Sequence, residues 1–356
     1  METIETTEQL THFVRNQAQV RVRAGGTKPA TSGNANVSLV NLSGVIEYES
    51  SEFTITVRAG TPLAEIENLL AEQRQYLPFD PPLARAGATI GGTVATGLSG
   101  SGRFRYGGVR DFLLGVRFVT GEGQLVQLGS KVVKNAAGFD FPKLMVGGLG
   151  RFGIMTELTL KVFPAPEATR TVVLENDNQS DALETMLQLA ASQLDLTCLD
   201  LDDTNRIRAR VAGSDSALLD RVARLQQFSN IANKVIEGEE ELALWQAVGE
   251  FQWVPAGYRL VKVALAPEQI PPLISDLTPG ALRICAGGHL GWIAWPQERP
   301  GEELDRVLAQ HCCPGLAITG DWHSPLIGEH QGSAFARRLT LALDPESKFT
   351  NPQPVV

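Results

Sequence analysis

The residues of clearest chemical interest lie between Gly87 and Val162, where glycines recur in GATIGGTVATGLSGSGRFRYGGVRDF, KNAAGFD and GLGRFG. They place tight bends between short apolar stretches that have the composition of strands. Because glycine has no Cβ, the backbone N–H groups at such bends can come close to a ligand and donate to phosphate oxygens. This region therefore predicts a site that wraps around a phosphate-bearing ligand.

One of these segments, GLGRFG (residues 148–153), also matches the GxGxxG motif of Rossmann dinucleotide sites. In those sites the motif joins a strand to a helix. Here it follows a helix-like segment and precedes IMTELTLKVF, which alternates as a strand does. The order of the elements is therefore inverted, and the GxxxxGK[ST] phosphate loop does not occur in the sequence. We expect the ligand to be bound in another way.

The elements that would position this region can be read from the same patterns. Residues 7–17 and 61–73 have the apolar spacing of helices, and Thr61 is a candidate N-cap for the second. Residues 111–129 predict a hairpin. The sequence PAPEA after Phe163 marks a domain boundary. Beyond it strands and helices alternate, which predicts an α+β domain whose sheet is covered on one face by helices.

Length and charge limit the classes of function. The chain has 356 residues, enough for about two domains, with a net charge of −9 and a pI of about 5.2. Non-specific nucleic-acid binding needs a basic surface, so this class is not expected. The polar N-terminus has no signal-peptide core, and no apolar run reaches the ~18 residues of a membrane span. We therefore expect a cytoplasmic protein without an integral membrane segment.

The cysteines do not have the spacing of a metal site. The four are Cys198, Cys285, Cys312 and Cys313, and none belongs to a CxxC pair. Structural zinc and iron–sulfur clusters both need closer or more regular ligand sets. We expect reduced cysteines, as in cytoplasmic proteins, and no metal.

Taken in their order along the chain, several segments resemble the FAD-binding domain of the vanillyl-alcohol oxidase / p-cresol methylhydroxylase superfamily. These segments are RAGGTK, AGTPL, LPFDPP, GATIGGTVATGLSG, RYGGVRD, KNAAGFD and GLGRFGIMTELTLKVFP. The KNAAGFD element and the short chain are most similar to the FAD-binding E subunits of glycolate oxidase (glycolate dehydrogenase). The resemblance covers residues 7–165 and returns at LDPESKFTNP near the C-terminus.

The resemblance implies an α+β fold in two main parts. Residues 1–165 would form a two-subdomain FAD-binding domain of the p-cresol methylhydroxylase (PCMH) type. Residues 166–340 would form an α+β cap domain with a mainly antiparallel sheet, which covers the flavin and contributes substrate groups. Residues 341–356 would form a tail that returns to the FAD-binding domain.

The resemblance also implies which residues hold FAD. RAGGTK would be the first pyrophosphate loop, with Lys28 as a countercharge, and GATIGG the second. The implied cofactor-binding residues are Gly25, Gly26, Thr27, Lys28, Pro78, Gly87, Ala88, Thr89, Ile90, Gly91, Gly92, Gly97, Tyr106, Gly107, Asp111, Gly153 and Ile154. Some members of the superfamily attach FAD covalently to His or Cys. Here His12 lies far from the loops and no cysteine precedes Cys198, so we expect non-covalent FAD.

Oxidation of a 2-hydroxy acid requires a cation for the carboxylate and a base for the hydroxyl proton, while the flavin accepts a hydride. Catalytic relatives have an HxHxGDGN-type segment, whose nearest match here, CAGGHLGW, retains one histidine and one glycine. His289 is therefore the candidate base. Arg259, Lys262 and Arg283 are the candidate ligands of the carboxylate. The alternative is structural: a packed or exposed histidine, and cations on a solvated sheet face.

The resemblance implies an FAD-dependent oxidoreductase acting on CH–OH groups, as a subunit of a glycolate dehydrogenase complex that converts glycolate to glyoxylate. Its partners would be a homologous catalytic FAD subunit and an iron–sulfur subunit that receives the electrons. The complex could meet a membrane peripherally through them. Two alternatives stay open: a self-sufficient FAD-dependent D-lactate or other 2-hydroxy-acid dehydrogenase, and a flavin-binding structural subunit without turnover.

Overall fold

The computed structural model describes residues 1–129, 141–229, 231–277 and 281–349. The KNAAGFD motif and the end of the C-terminal tail lie outside the described residues. The described part of the chain contains mixed helix and sheet throughout.

Contacts between residues divide the chain into two compact units. The first unit contains Met1–Gly100, Gly107–Ala165 and residues 331–349. The second unit contains Ser101–Tyr106 and Pro166–His330. The short segment Ser101–Tyr106 thus lies within the glycine-rich region of the sequence but packs in the second unit.

Up to Ala165 the elements are short. They are β1 (Glu2–Thr3), α1 (Thr7–Asn16), β2 (Val22–Arg23), α2 (Pro29–Ser32), β3 (Val37–Ser38), β4 (Val45–Glu49), β5 (Thr54–Arg58), α3 (Leu63–Glu72), β6 (Gln75–Tyr76), α4 (Ile90–Thr96), α5 (Arg103–Tyr106), α6 (Val109–Phe112), β7 (Leu113–Val119), β8 (Leu125–Gly129), β9 (Ile154–Lys161) and β10 (Phe163–Pro164). Single 3₁₀ turns occupy Ser50–Glu52 and Phe141–Met145.

The elements that follow are longer. They are β11 (Ala168–Glu175), α7 (Gln179–Ala190), β12 (Cys198–Leu201), β13 (Arg206–Gly213), α8 (Asp215–Ser229), β14 (Asn233–Glu237), α9 (Gly238–Gly249), β15 (Tyr258–Ala264), α10 (Ile270–Asp276), β16 (Ala281–Cys285), β17 (Leu290–Pro296), α11 (Gly301–Gln310), β18 (Pro314–Ala317), β19 (Leu326–Gly328) and α12 (Ser333–Leu343). Two further 3₁₀ turns occupy Pro267–Gln269 and Ala286–Gly288.

An antiparallel sheet in the order β4–β5–β9–β7–β8 forms the larger layer of the first unit. Its strands alternate as a half-buried sheet requires: Leu158 and Leu160 are fully buried, and Thr159 between them is partly exposed. β7 and β8 pair in register up to Val119↔Leu125, which confirms the predicted hairpin. GLGRFG precedes β9, as expected of a loop-to-strand junction rather than a Rossmann motif.

A smaller parallel sheet, β1–β3–β2, packs with α1 in the first unit. Its core includes Leu10, Val37 and the C-terminal Phe349, which is 3% exposed. The Val20 N–H donates to the Lys348 carbonyl at 2.8 Å. The chain after α12 is therefore bound to this layer.

A long sheet forms the second unit, in the order β14–β11–β13–β12–β16–β17–β15–β18–β19, with every registered pair antiparallel. Helices α7, α8, α10 and α11 pack against one face and share its apolar core. Together with the first unit this confirms the predicted α+β class with a mainly antiparallel sheet.

The other face of the long sheet is covered in part by α9 and the turn after it. Glu241 on α9 is 1% exposed and accepts hydrogen bonds from Thr171 at 2.8 Å and Arg210 at 2.9 Å. The rings of Phe251 and Trp292 lie 4.5 Å apart between centroids. This face is therefore lined by polar and aromatic side chains where the opposite face is aliphatic.

One local prediction needs correction, and one helix was not predicted. Thr61 does not cap α3: its hydroxyl donates to the carbonyls of Arg58 at 2.7 Å and Gly44 at 3.2 Å, and Pro62 is the N-cap residue. The hydroxyl thus closes the end of β5, which leaves it unavailable to the helix. Helix α9 was not predicted from the sequence, because that helix buries a glutamate rather than an apolar stripe.

Candidate functional site

The two glycine loops of the first unit are in direct backbone contact. A Cβ on Gly25 would lie 2.0 Å from the carbonyl oxygen of Gly87. That distance is far below van der Waals contact, so only glycine allows this approach. The structure therefore brings RAGGTK and GATIGG together, although they are separated by more than fifty residues of sequence.

The second loop leads directly into α4. Thr89 is the N-cap residue, and its Oγ1 accepts a hydrogen bond from the Gly92 N–H at 3.3 Å. A Cβ on Gly91 would lie 2.6 Å from the Ala59 carbonyl oxygen, so the first turn of α4 packs closely on the end of β5. The loop and helix start form a fixed frame beside the first loop.

Lys28 lies between the two loops and is 6% exposed. Its Nζ donates to Thr27 Oγ1 at 3.0 Å and lies 3.8 Å from the position that a Gly92 Cβ would occupy. In the described part of the chain, no carboxylate lies within ion-pair distance of Lys28. Burial lowers the pKa of Lys28 to about 8.

A buried ammonium without an anion is costly, which is why buried charges in proteins are normally paired. Lys28 is therefore a cation that lacks its counterion, in a cradle built by two glycine loops. A pyrophosphate would supply that counterion and accept from the loop N–H groups. This donor set fits FAD at the position that the motif order predicted.

The other predicted FAD residues are placed more widely. Gly97 ends α4 with φ +61, and Pro78 is buried in the extended segment after β6. Asp111 accepts from the Gly108 N–H at 2.9 Å within α6, so it holds a helix start. Tyr106 belongs to the second unit. For these residues contact with FAD stays a prediction.

The remaining predicted FAD residues fall into two groups, one within the two contacting loops and the start of α4 and one outside them. Gly26, Thr27, Ala88 and Ile90 belong to the two contacting loops and the start of α4, whereas Gly107, Gly153 and Ile154 do not. A Cβ on Gly153 would lie 2.4 Å from a ring carbon of Phe118. Gly153 thus lets the chain enter β9 over an aromatic ring.

Arg259, one of the three candidate ligands of the carboxylate, is bound mainly by backbone carbonyls. Its guanidinium donates to the carbonyls of Asp321 at 2.8 Å, Pro296 at 3.4 Å and Arg299, and it stacks on Trp322 at 4.3 Å. Both terminal nitrogens are thus engaged by backbone on the helix-covered side of the sheet, whereas Nε is buried without a partner in the described structure. A role for Arg259 as a substrate ligand stays a prediction.

Lys262 and Arg283 lie together on the opposite face. Both are directly opposite Trp292 in the strand register, Lys262 from β15 and Arg283 from β16. Their strand neighbours Val261 and Ile284 point into the helix-covered core, so alternation directs both cations to the other face. The structure therefore forms a row of cation, indole and cation across three adjacent strands.

The surroundings of the two cations differ. The guanidinium of Arg283 stacks on Trp253 at 4.4 Å and lies 3.6 Å from Asp203 Oδ1. Burial of its ammonium, with the positive charge of Arg103, lowers the pKa of Lys262 to about 8. A carboxylate at this row would restore the charged form of the lysine and accept from the arginine fork.

His289 is exposed, in the turn between Ala286–Gly288 and β17. In the described residues its ring has no hydrogen-bond partner. A general base is usually oriented by a second group that holds the tautomer. The structure does not provide that group for His289, and its role as a base stays a prediction.

The sequence analysis did not identify Asp200, which is 4% exposed on β12. Ser101 Oγ donates to its Oδ2, and burial raises the pKa of Asp200 although this hydrogen bond opposes the shift. The contact fastens the segment Ser101–Tyr106 to the sheet. The signal available in the sequence was an aspartate within CLDL, a strand whose other residues are apolar.

The described residues contain neither a group of metal ligands nor a membrane-spanning helix. Within the ranges given above, no group of three His, Cys, Asp or Glu side chains is arranged to hold a metal ion. None of the four cysteines forms a disulfide. Among the helices that the structure describes, none has the length and apolar character needed to cross a membrane.

The FAD binding domain family model matches residues 2–129, which confirms FAD as the cofactor. The chain is similar to the "Glycolate oxidase subunit GlcE" of Escherichia coli (strain K12), with 35% identity over 313 residues, 86% of this chain and 83% of that protein. It is also similar to the "Glycolate oxidase subunit GlcD" of Bacillus subtilis (strain 168), with 29% identity over 48% of this chain and 36% of that protein.

A "D-2-hydroxyglutarate dehydrogenase" of Xanthomonas citri pv. viticola is 33% identical over 48% of this chain and 37% of its own length. Among solved structures, an alkyldihydroxyacetonephosphate synthase superposes with a TM-score of 0.72 at 15% identity, covering 97% of this chain and 75% of its own. At that identity the superposition concerns the fold alone, and it agrees with the PCMH-type fold predicted from the motifs.

Proposed function

Because the chain belongs to the family of the glycolate oxidase subunit GlcE, FAD-dependent oxidoreductases acting on CH–OH groups, we propose that it takes part in oxidising glycolate to glyoxylate. The single observation that supports a hydroxy-acid substrate is the row Lys262–Trp292–Arg283 in the second unit. Two cations flank one indole on the face opposite α7, α8, α10 and α11. A small carboxylate with an adjacent C–H bond matches this arrangement in charge and in size.

The proposed roles follow from the chemistry of the side chains. Arg283 offers a planar fork for the two carboxylate oxygens, and Lys262 a point charge beside it. The face of Trp292 excludes water from the substrate's carbon atoms. When bound, FAD supplies the acceptor for the hydride that leaves C2. The hydroxyl proton must leave at the same time.

Of the groups that the proposed reaction needs, the acceptor of the hydroxyl proton is the one that this chain supplies least well. His289 is exposed and unoriented in the described structure. We therefore assign proton removal to a homologous catalytic FAD subunit, with this chain as its FAD-binding partner. The similarity to subunits GlcE and GlcD of glycolate oxidase supports a complex of this kind.

We further propose that the electrons pass to an iron–sulfur subunit of the same complex, which acts in the cytoplasm or peripherally at a membrane. The self-sufficient 2-hydroxy-acid dehydrogenase and the non-reactive flavin subunit remain the competing functions. The dehydrogenase names of other relatives favour the first of these. Flavin bleaching separates all three.

The test follows flavin absorbance anaerobically on mixing with glycolate, D-lactate or D-2-hydroxyglutarate. The chain is measured alone and with its co-purified partner subunits. The variants Lys262→Met and Arg283→Met remove the two cations. The matched controls are Lys234→Met and Arg206→Met, whose side chains are 65% and 51% exposed on β14 and β13.

We expect bleaching with glycolate only when the partners are present, and we expect both site variants to weaken the substrate dependence while both controls leave it unchanged. Bleaching of the chain alone would overturn the subunit assignment in favour of the self-sufficient enzyme. A flavin that never bleaches with any partner would establish the structural subunit. Site variants that behave as the controls do would remove the carboxylate assignment.

A further inference from the structure

We propose that the buried ammonium of Lys28 is the countercharge of the FAD pyrophosphate, and that binding and release of FAD are coupled to gain and loss of one proton at this side chain. The proposal rests on the FAD site of the first unit. It is independent of the substrate and partners proposed above.

The environment of Lys28 contains donors but no counterion. Its Nζ donates to Thr27 Oγ1 at 3.0 Å, and the frame beside it is the first turn of α4, which contains no charged residue. Helix α2, which begins immediately after Lys28, has none either. The charged group of its own loop is Arg23, whose guanidinium borders Gly26. Among these described neighbours of Lys28, the one charged group is therefore positive.

A structural role would not need this ammonium. Lys28 is 6% exposed, so its aliphatic stem contributes packing that a methionine would also give. The positive head adds a desolvation cost that no carboxylate of the described chain offsets. A buried cation that destabilises the empty site is explained if the site's ligand is an anion.

The direction of the coupling follows from the charge. Burial lowers the pKa of Lys28 to about 8 in the protein without ligand, whereas two phosphate charges beside the ammonium would raise it again. Below about pH 8 the lysine is charged in both states, and binding is independent of pH. Above it the free protein loses the proton and must regain it on binding, so affinity falls by about tenfold per pH unit.

The first measurement dilutes the full-length holoprotein and follows release of FAD by its fluorescence between pH 7 and 9.5, with free FAD at each pH as the reference for ionisation of the flavin ring itself. We expect the Kd for FAD to rise about 30-fold across this range. Calorimetric titration of the FAD-free protein at pH 9, in two buffers of different ionisation enthalpy, should show uptake of about 0.9 proton per FAD.

Three variants calibrate these measurements. Lys28→Met should bind FAD more weakly at pH 7, with no change of Kd up to pH 9.5 and no proton uptake. Lys28→Arg keeps its charge throughout and should bind FAD without pH dependence. Lys234→Met, an exposed lysine of the second unit, should retain the full wild-type pH dependence. Circular dichroism of each FAD-free variant checks that the fold is kept.

A wild-type Kd that is flat up to pH 9.5 would overturn the proposal, as would a pH dependence that Lys28→Met retains. These outcomes can occur whether or not the flavin is bleached by glycolate. A failure here therefore leaves the proposed oxidation standing, and a failure to bleach leaves the coupling at Lys28 standing.

Discussion

Each unit contains a lysine whose pKa is lowered by burial of its ammonium, Lys28 in the first and Lys262 in the second, and the two are held by different means. In the first unit, Lys28 is enclosed by loops whose backbones touch at Gly25 and Gly87, and no carboxylate of the described residues lies within ion-pair distance of it. In the second, Lys262 is held by strand alternation beside Trp292 and near other cations. Burial lowers the pKa of both lysines to about 8. One site thus depends on what the backbone can approach, the other on which face a side chain occupies.

This difference predicts how each site fails. A site built from backbone contact should be destroyed by a single added methyl group and should tolerate few substitutions. A site built from side chains should lose affinity in steps, one charge at a time, while the sheet beneath it stays folded. The predictions that follow are ordered by the size of the expected effect.

The largest effect is expected for Gly25→Ala. The new Cβ would lie 2.0 Å from the Gly87 carbonyl oxygen, so the two loops must separate at a cost of about 3 kcal/mol, equivalent to about 100-fold in FAD affinity. The ratio of flavin to protein absorbance after gel filtration measures the loss. Gly249→Ala is the control, because no atom lies within 4 Å of its added Cβ. Normal flavin content in Gly25→Ala would disprove the contact.

The second effect is on the stability of the FAD-free protein. The folded pKa of Lys28 is about 8, below the unfolded value, so the charged form costs the folded state about 3 kcal/mol. The full cost is present below pH 8 and disappears as the pH rises toward 10.5, the ordinary pKa of a lysine. Lys28→Met should therefore raise the free energy of unfolding at pH 7, and the gain should vanish at high pH.

Urea unfolding of the FAD-free proteins measures this difference, and saturating FAD should reverse its sign at pH 7 because the wild type then gains the ion pair. A variant that is less stable than the wild type without FAD would show that Lys28 has a structural partner. Lys28 and Lys262 would then differ in their effect on the free energy of unfolding as well as in how the fold holds them.

The motif order located the first site well, because tight glycine loops demand particular residues at particular positions. The second site was only partly predicted. In RLVKVA, Arg259 shares its parity with Val261 and Val263, which fill the core, whereas Lys262 has the opposite parity. The strand pattern thus places Arg259 and Lys262 on opposite faces of β15. Only the packing of α7, α8, α10 and α11 shows which of these faces is covered by those helices.

The other features that the sequence analysis missed depend on buried polar groups. Asp200 and Glu241 are almost fully buried and accept hydrogen bonds from side chains far away in sequence. Periodicity analysis assigns charged residues to the surface, so it could not place α9 or the segment Ser101–Tyr106. Polar burial of this kind depends on partners that the local sequence does not contain.

The third effect tests that segment. Ser101→Ala removes the donor to the buried Asp200 carboxylate and should lower the free energy of unfolding by about 2 kcal/mol. Because Asp200→Asn removes the charge that needs the donor, Ser101→Ala should cost less in that background. Urea unfolding of both single variants and the double variant gives the coupling energy. A coupling near zero would mean that the segment is held by Phe104 and Arg105 instead.

The smallest effect returns to the second lysine. Since the pKa of Lys262 is about 8, its ammonium is lost as the pH rises, and with it one of the two charges that bind the substrate carboxylate. The glycolate concentration for half-maximal bleaching of the complex should rise about tenfold between pH 7 and pH 9. Lys262→Arg should remove this dependence, and Arg283→Met should keep it at a weaker affinity. If Lys262→Arg keeps the wild-type profile, the titrating group is elsewhere, and the row on the sheet is a feature of the fold rather than of substrate binding.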